Sequence, residues 1–102
     1  MQTVFANPEL ETLYLTGRSR KYRLQPQTVR RYVAKVNDLK DADTALDLWA
    51  KPGLNFERLS GTNLYSVRVD RQYRLEFTMD WTNPEQTVGI VGIEELSKHY
   101  GD

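Results

Sequence analysis

The residues from Tyr65 to Phe77 read YSVRVDRQYRLEF, and this stretch decides the fold of the chain. Apolar and polar side chains alternate on both sides of a polar Asp-Arg-Gln step, which is typical of two strands joined by a tight turn. Successive side chains of a strand face opposite ways, so Arg68 and Arg74 fall on one polar face, close together across the hairpin. Guanidinium groups on a rigid sheet suit a phosphate, and the pattern therefore favours RNA or DNA as the ligand.

Ahead of the hairpin, the sequence predicts a short strand over residues 3–5 and then two helices. Asn7, followed by proline, is typical of a helix start, and Gly17 is typical of a helix end. A second helix begins near Pro26. From Val29 onward its apolar residues recur at i, i+3, i+4, i+7 and i+10, which is the spacing of one helix face.

A third, shorter helix is predicted with Asp41 or Asp43 as its cap, and it ends before Pro52. Beyond it, the predicted elements are a strand edge over residues 56–59, hairpin strands over 64–70 and 73–79, a last strand over 87–93, and one or two helical turns from Glu94 to Tyr100. Helices followed by a meander of strands predict an α+β domain. We expect the N-terminal helices to pack on one face of a small, twisted antiparallel sheet and to leave the arginine face open.

The length of 102 residues bounds the chain to one domain, residues 1–102. The absence of cysteine excludes a disulfide framework and a thiolate metal site, and a single histidine excludes a multi-histidine metal site. The first residues lack the charged start and apolar run of a signal peptide. No apolar stretch approaches the roughly 20 residues of a membrane helix. We therefore expect a soluble, cytoplasmic protein with no membrane partner and no bound metal.

Charge is distributed unevenly along the chain, although the formal net charge is zero. Residues 18–35 carry seven basic side chains and no acid, whereas residues 38–47 carry four acids against Lys40. A basic patch can steer a polyanion even when the total is zero. The alternative is that both runs are solvated helix faces, which we favour for the acidic run. The candidates for contacts with RNA are these basic residues and one in the hairpin turn: Arg18, Arg20, Lys21, Arg23, Arg30, Arg31, Lys35 and Arg71.

A set of short motifs runs through residues 10–100. They are Leu15-x-Gly17 followed by Arg20, Asp47-Leu48 before Pro52-Gly53-Leu54, Glu57-x-Leu59-x-Gly61, Tyr65-Ser66-Val67-Arg68-Val69 with Gln72-Tyr73-Arg74, and Val88-x-Ile90-Val91. Together they resemble the RelE/ParE toxin superfamily, and within it the HigB-like, plasmid-maintenance killer branch. The Tyr-Ser-x-Arg-Val and Gln-Tyr-Arg strings are the most specific part of this resemblance.

The resemblance implies a type II toxin that pairs with a HigA-like helix-turn-helix antitoxin and reaches operator DNA only through it. HigB-like and RelE-like members are mRNA interferases, which cut messenger RNA on the ribosome and thereby inhibit translation and cause growth arrest. ParE-like members inhibit DNA gyrase, and the fold alone does not separate these outcomes. A third alternative is a catalytically degenerate toxin that binds its antitoxin and co-represses transcription. We expect the ribonuclease, working without a cofactor.

RNA cleavage without a metal needs a base for the 2′-hydroxyl, cations for the charge on the phosphate, and an acid for the leaving 5′-oxygen. The product is a 2′,3′-cyclic phosphate. By the resemblance, Arg74 is the phosphate-clamping arginine, and Arg68 shares the clamp or contacts the RNA backbone. The structural alternatives are a salt bridge from Arg74 to Glu76 or Asp70, and a cross-strand pair for Arg68.

The C-terminal tail supplies candidates for the acid–base step. By its similarity to a RelE-like ending, Tyr100 is a residue that transfers a proton or stacks on a base. His99 is a candidate acid or base because the ordinary pKa of histidine lies near neutrality; the alternative is that it is only exposed. Glu94 is interpreted as an acid at the N-terminus of the tail helix, with a general base as the alternative.

Overall fold

A computed structural model describes residues 1–98 of the chain. In chain order the elements are β1 (Thr3–Phe5), α1 (Pro8–Thr16), α2 (Pro26–Asp41), α3 (Ala45–Trp49), a 3-10 turn (Pro52–Leu54), β2 (Glu57–Arg58), β3 (Leu64–Arg68), β4 (Tyr73–Trp81) and β5 (Gly89–Lys98). The described part of the chain is therefore a small α+β fold of three α-helices and one five-stranded sheet, as the alternation of patterns predicts.

The sheet has the strand order β1-β5-β4-β3-β2. Neighbouring strands are antiparallel from β5 to β2, but β1 runs parallel to β5, with Thr3 opposite Val91 and Phe5 opposite Ile93. The expected antiparallel sheet is therefore wrong at this edge, and the sheet is mixed. Hairpin signals reveal only strands that are neighbours in sequence. A parallel pair needs a long connection, here the chain between β1 and β5, and leaves no local signal.

The first helix begins and ends, and the second begins, where the sequence predicts. The Asn7 side chain caps α1, since its Oδ1 accepts a hydrogen bond from the Glu9 N–H at 3.1 Å. Gly17 ends α1 in the left-handed conformation, with φ at +76°. In α2, which begins at Pro26, the apolar face includes the buried side chains of Tyr32, Val36 and Leu39.

The cap of α3 differs from the prediction. Thr44, rather than Asp41 or Asp43, occupies the N-cap position, and its hydroxyl accepts a hydrogen bond from the Leu46 N–H at 3.2 Å. The Asp47 carboxylate reaches back to the N–H groups of Asp43 and Thr44, which completes a capping box. These two hydrogen bonds lower the pKa of Asp47. Asp41 instead belongs to α2 as its last residue.

The tail prediction is wrong for residues 94–98, because β5 continues to Lys98 instead of turning into a helix. Phe77 pairs with Ile93 and Leu75 pairs with Leu96, so β5 carries one more residue than β4 between these pairs. Such a bulge places Ile93 and Leu96 on the same buried side although they are three residues apart. Apolar residues at i and i+3 imitate a helix, which explains the misinterpretation. Glu94 accordingly lies at a strand bulge and caps no helix.

The helices pack on one face of the sheet. Residues from that face form one buried cluster with residues from the helices: Val67, Leu75, Phe77, Val91 and Ile93 with Leu10, Leu13, Tyr32, Val36, Leu39 and Leu48. Burial of each such leucine, valine or phenylalanine contributes about 1.5–3 kcal/mol. Arg68, Arg74 and Glu76 alternate with these core residues along β3 and β4 and therefore lie on the opposite face, as expected. No helix among residues 1–98 is long and apolar enough to span a bilayer.

Candidate functional site

Arg68 and Arg74 face each other across the hairpin, as the alternation predicts. Arg68 is exposed, whereas the Arg74 side chain is only 29% exposed. The guanidinium of Arg74 lies between two carboxylates: Nη1 is 4.0 Å from Glu57 Oε1 and Nε is 3.6 Å from Glu76 Oε2. The salt bridge from Arg74 to Glu76 that the sequence suggested as a structural alternative is thus present. The second carboxylate paired with Arg74 is that of Glu57 and not that of Asp70.

The two carboxylates reach Arg74 because of the register of three strands. Glu57 of β2 is opposite Ser66 of β3, and Ser66 is opposite Glu76 of β4. Glu76 is further fixed by Ser97 of β5, whose hydroxyl donates a hydrogen bond to Oε2 at 2.6 Å. Sequence reasoning missed Glu57 as a site residue, because a two-residue strand gives no periodic signal from which a register can be read.

One nitrogen of the Arg74 guanidinium group is buried without a hydrogen bond. Its Nε is shielded from solvent and has no acceptor within hydrogen-bond distance among the described residues. A small recess adjoins it, lined by Asn55, Glu57, Ser66, Arg68, Asp70, Tyr73 and Arg74. Glu76 Oε2 lies 3.6 Å from Nε, just beyond hydrogen-bond distance, so the ion pair with Glu76 offsets much of the cost of burying this atom.

A groove lies beside the two arginines, between the beginning of α2 and the β3–β4 turn. It has a volume of about 720 Å³ and is lined by Gln25, Gln27, Thr28, Arg31, Arg68, Asp70, Arg71 and Gln72. Three of these residues are exposed arginines from different parts of the chain: Arg31 from α2, Arg68 from β3 and Arg71 from the turn. We call this feature the arginine groove. Its three cations outnumber its single acid, so it is suited to an anionic ligand.

Asp70, the acid in the arginine groove, is occupied by hydrogen bonds that fix the shape of the groove. Its Oδ1 accepts from the N–H groups of Gln72 and Tyr73, both at 2.8 Å, which holds the hairpin turn. Its Oδ2 accepts from the Thr28 hydroxyl at 3.1 Å, which ties the turn to α2. Asp70 therefore positions Arg68 and Arg71 relative to Arg31. Sequence reasoning assigned it no such role, since the contact with Thr28 is distant in sequence.

The other basic candidates do not all gather at the arginine groove. Arg18, Arg20 and Arg23 line a separate recess of about 390 Å³ beside α1. Lys21 lies over the ring of Tyr22, with Nζ 5.3 Å from the ring centroid. The basic loop is thus a second positive surface.

Within α2, the basic candidates have different surroundings. Arg31 joins the arginine groove, and Arg30 is exposed to solvent. Lys35 is 4.0 Å from Asp38 one turn later in the helix, an ion pair of little energetic value at a surface. The structure therefore brings Arg31, Arg68, Arg71 and Arg74 together, and it leaves the remaining basic candidates elsewhere.

Two of the four catalytic candidates, His99 and Tyr100, lie outside the described residues. The last described residue, Lys98, is opposite Tyr73, the neighbour of Arg74. The chain beyond Lys98 therefore starts at the edge of the site. Its acid–base roles stay predictions.

Tyr22 belongs to a buried polar cluster away from the arginine groove. Its hydroxyl donates to the Glu95 carboxylate and accepts from Asn7 Nδ2 at 2.9 Å. Burial, together with the Glu95 carboxylate, raises the pKa of Tyr22 to about 12. A phenol that holds its proton this tightly is suited to joining the basic loop to β5 rather than to acid–base catalysis.

The site thus contains Arg74 between two carboxylates, several other arginines that are exposed, and the half-exposed carboxylate of Glu57. Within residues 1–98 no three His, Cys, Asp or Glu side chains cluster in a way that suits a metal ion. A scan of the chain against models of known protein families gives no match, and neither does a search among curated proteins. The function has to be inferred from the chemistry that these side chains can perform.

Proposed function

We propose that this chain is a toxin of the RelE/ParE superfamily, of the HigB-like branch, and that it cleaves messenger RNA bound to the ribosome. One observation carries the proposal. Arg68 and Arg74 stand opposite each other on the open sheet face, beside the arginine groove and next to the half-exposed carboxylate of Glu57. Cations and a carboxylate at one place supply two of the three kinds of group that the cleavage of a phosphodiester by an attacking 2′-hydroxyl requires.

Arg74 and Arg68 are proposed to share the work on the phosphate. Glu57 and Glu76 hold the Arg74 guanidinium in place, and the part of this side chain that stays exposed is a donor for a phosphate oxygen. The exposed Arg68 is free to approach the same phosphate from the neighbouring strand. Donors that are already oriented stabilise the charge that develops on the phosphate without reorganisation during the reaction.

Glu57 is proposed as the general base. Its side chain is 48% exposed, so substrate can reach it, and it lies beside the Arg74 guanidinium. Its carboxylate takes the proton of the 2′-hydroxyl while the 2′-oxygen bonds to phosphorus. The bond from phosphorus to the 5′-oxygen breaks, and the product keeps a 2′,3′-cyclic phosphate. The 5′-oxygen needs a proton, for which His99 and Tyr100 stay the candidates.

Ribosome binding is proposed to use the positive surfaces outside the catalytic pair. The arginine groove supplies Arg31 and Arg71, and the basic loop supplies Arg18, Arg20 and Arg23 around a separate recess. Two separate positive surfaces suit a large, folded RNA better than a small phosphate ligand. A helix-turn-helix antitoxin as partner and a cytoplasmic location belong to the same proposal.

A second candidate function is favoured by one observation. Glu57 and Glu76 already balance the charge of Arg74, which weakens it as a phosphate clamp. A ParE-like gyrase inhibitor or an antitoxin-binding co-repressor requires no such clamp. Either of these functions would leave messenger RNA intact, whereas the ribonuclease would cleave it.

The test is primer extension on messenger RNA after brief induction of the chain in growing cells. The chain is compared with Arg68→Ala and with Lys51→Ala, which removes one exposed positive charge outside the arginine groove. We expect new 5′ ends inside coding regions, in frame with codons, for the chain and Lys51→Ala, and their loss for Arg68→Ala. Growth arrest with intact messages and a DNA-damage response would instead support gyrase inhibition.

A further inference from the structure

A row of aromatic rings leads from α3 across the helix-side face of the sheet to the end of β4. Ring centroids are 4.5 Å apart for Trp49 and Phe56, 5.6 Å for Phe56 and Tyr65, and 6.0 Å for Tyr65 and Trp81. Phe56 is buried, but Trp49 is 57% exposed. The row therefore begins in solvent and ends at Tyr65 and Trp81, which are only partly buried.

Further apolar side chains extend this exposed end. Leu46, one helical turn before Trp49 on α3, is 61% exposed. The Ala45 N–H donates a hydrogen bond to the Thr87 carbonyl at 2.7 Å, which places α3 beside Val88, itself 37% exposed. Clustered exposed apolar groups of this kind usually mark a surface for another protein.

We call the exposed side chains of Leu46, Trp49 and Val88 the protrusion. Next to it lies a groove of about 220 Å³, lined by Arg58, Asn63, Tyr65, Met79, Trp81 and Gln86. Its floor is aromatic and its rim carries one cation and no acid. The start of α3 has the opposite charge, because Asp43 and Asp47 are both exposed there, and the nearby Lys51 is already paired with Asp38. Tyrosine, tryptophan and arginine are the residues that most often dominate binding energy at protein interfaces.

The protrusion therefore complements the groove in polarity, the start of α3 complements it in charge, and the three lie side by side on one molecule. A surface with this property can bind itself around a two-fold axis, with each α3 entering the groove of the other copy. The zero net charge of the chain means that two copies do not repel each other as whole molecules.

We propose that a second copy of this chain docks here and forms a symmetric dimer. Leu46 and Trp49 of each copy enter the groove over Tyr65, Met79 and Trp81 of the other, and the acids of α3 meet Arg58. The arginine groove lies on the β3–β4 turn and the start of α2, so it stays open in the dimer. The dimer is independent of the proposed ribonuclease activity.

Sedimentation equilibrium of the purified full chain, from low to high micromolar concentration, tests the proposal. The matched variants are Leu46→Asp, in the protrusion, and Leu15→Asp, at a leucine of α1 that is also largely exposed, at 71%. We expect a monomer–dimer equilibrium for the chain and for Leu15→Asp. Leu46→Asp should raise the dimer dissociation constant at least about tenfold, and circular dichroism should show all three folded.

Arg58→Glu tests the charge complementarity separately, because it leaves the apolar side chains in place. We expect it to weaken the dimer as well, since it sets like charges against each other. A wild-type chain that stays monomeric at every concentration would overturn the proposal and leave this surface to a different protein. Dimerisation of Leu46→Asp with wild-type affinity would equally overturn it.

Discussion

Two arginines on the same sheet face differ in how the protein holds them. Arg68 has exposed surroundings, whereas Arg74 lies between Glu57 and Glu76. Removing Arg74 leaves these two carboxylates facing each other without a cation between them. Replacing Arg74 should therefore affect both stability and RNA binding, whereas replacing Arg68 should affect RNA binding alone.

The first prediction concerns the two alanine variants. Arg74→Ala should lower the free energy of unfolding by about 1–2 kcal/mol, whereas Arg68→Ala should change it by less than about 0.5 kcal/mol. Both should weaken binding to single-stranded RNA. Urea unfolding and fluorescence anisotropy with a labelled RNA measure the two quantities, with Lys51→Ala as the control. Equal stability losses in the two variants would contradict the idea that the ion pairs with Glu57 and Glu76 make Arg74 important for stability.

Glu57 is expected to act in the chemical step and not in binding. Glu57→Gln should lower the rate of RNA cleavage by about 10²–10⁴-fold, the usual contribution of a general base. RNA affinity should stay the same or rise, because the change removes a negative charge beside the phosphate. The control is Glu85→Gln, at an exposed loop position. A cleavage rate that Glu57→Gln leaves untouched would remove Glu57 from the mechanism.

Tyr22 should make stability depend on pH in the alkaline range. Its pKa is raised to about 12 in the folded chain by burial and by Glu95, whereas the unfolded chain loses this proton near pH 10. Its contribution is therefore complete below about pH 10 and is lost as the pH rises toward about 12. Between about pH 9 and about pH 11 the chain should lose about 1 kcal/mol more than Tyr22→Phe.

Denaturant unfolding at both pH values measures this difference. Tyr32, whose pKa is raised mainly by its burial and further by Tyr22 and Tyr14, is present in both proteins, so only the part of its shift that comes from Tyr22 differs between them. The same pH dependence of stability in the chain and in Tyr22→Phe would show that burial and Glu95 do not raise the pKa of the Tyr22 hydroxyl.

At the scale of elements, the sequence predicts those features that depend on neighbouring residues. Asn7, Gly17 and Pro26 mark the ends of α1 and α2 through local backbone chemistry, and all three predictions are confirmed. The facing of Arg68 and Arg74 is likewise confirmed, because a tight hairpin fixes its register locally. These are short-range effects, and the patterns that encode them are complete within a few residues.

The features that escaped prediction depend on partners distant in sequence. The parallel pairing of β1 with β5 joins the two ends of the described chain, and the bulge in β5 is defined only against β4. Glu57 reaches Arg74 only through the pairing of β2 with β3. The site is therefore predictable as a pair of arginines, but its carboxylates and the Asp70–Thr28 link require the tertiary structure.

The cap of α3 offers a direct test of an element boundary. Thr44→Ala should lower the free energy of unfolding by about 1 kcal/mol, since it removes the hydroxyl that accepts from the first turn. Asp43→Ala should have a smaller effect, because the Asp43 side chain is not part of the capping box. Thermal unfolding of both variants measures the difference. A larger loss for Asp43→Ala would favour the boundary that the sequence suggested.

At the scale of the whole molecule, the two faces of the sheet differ: one packs against the helices, and the other carries the candidate site. One face carries the apolar cluster shared with the helices, and the other carries Arg68, Arg74 and Glu76. With a neutral net charge and two positive surfaces, the chain has local positive potential at these surfaces without a positive charge overall, which is what the proposed binding of RNA requires. We propose that the arginine face cleaves RNA held on the ribosome.

The most direct test incubates the purified chain with a short messenger RNA, either free or bound in programmed ribosomes, and maps the cut ends. We predict cleavage of the ribosome-bound message that leaves a 2′,3′-cyclic phosphate, its persistence in Lys51→Ala, and its loss by at least about a hundredfold in Arg68→Ala and Glu57→Gln. Intact message in both settings, or equal cleavage by the chain and Arg68→Ala, would contradict the claim.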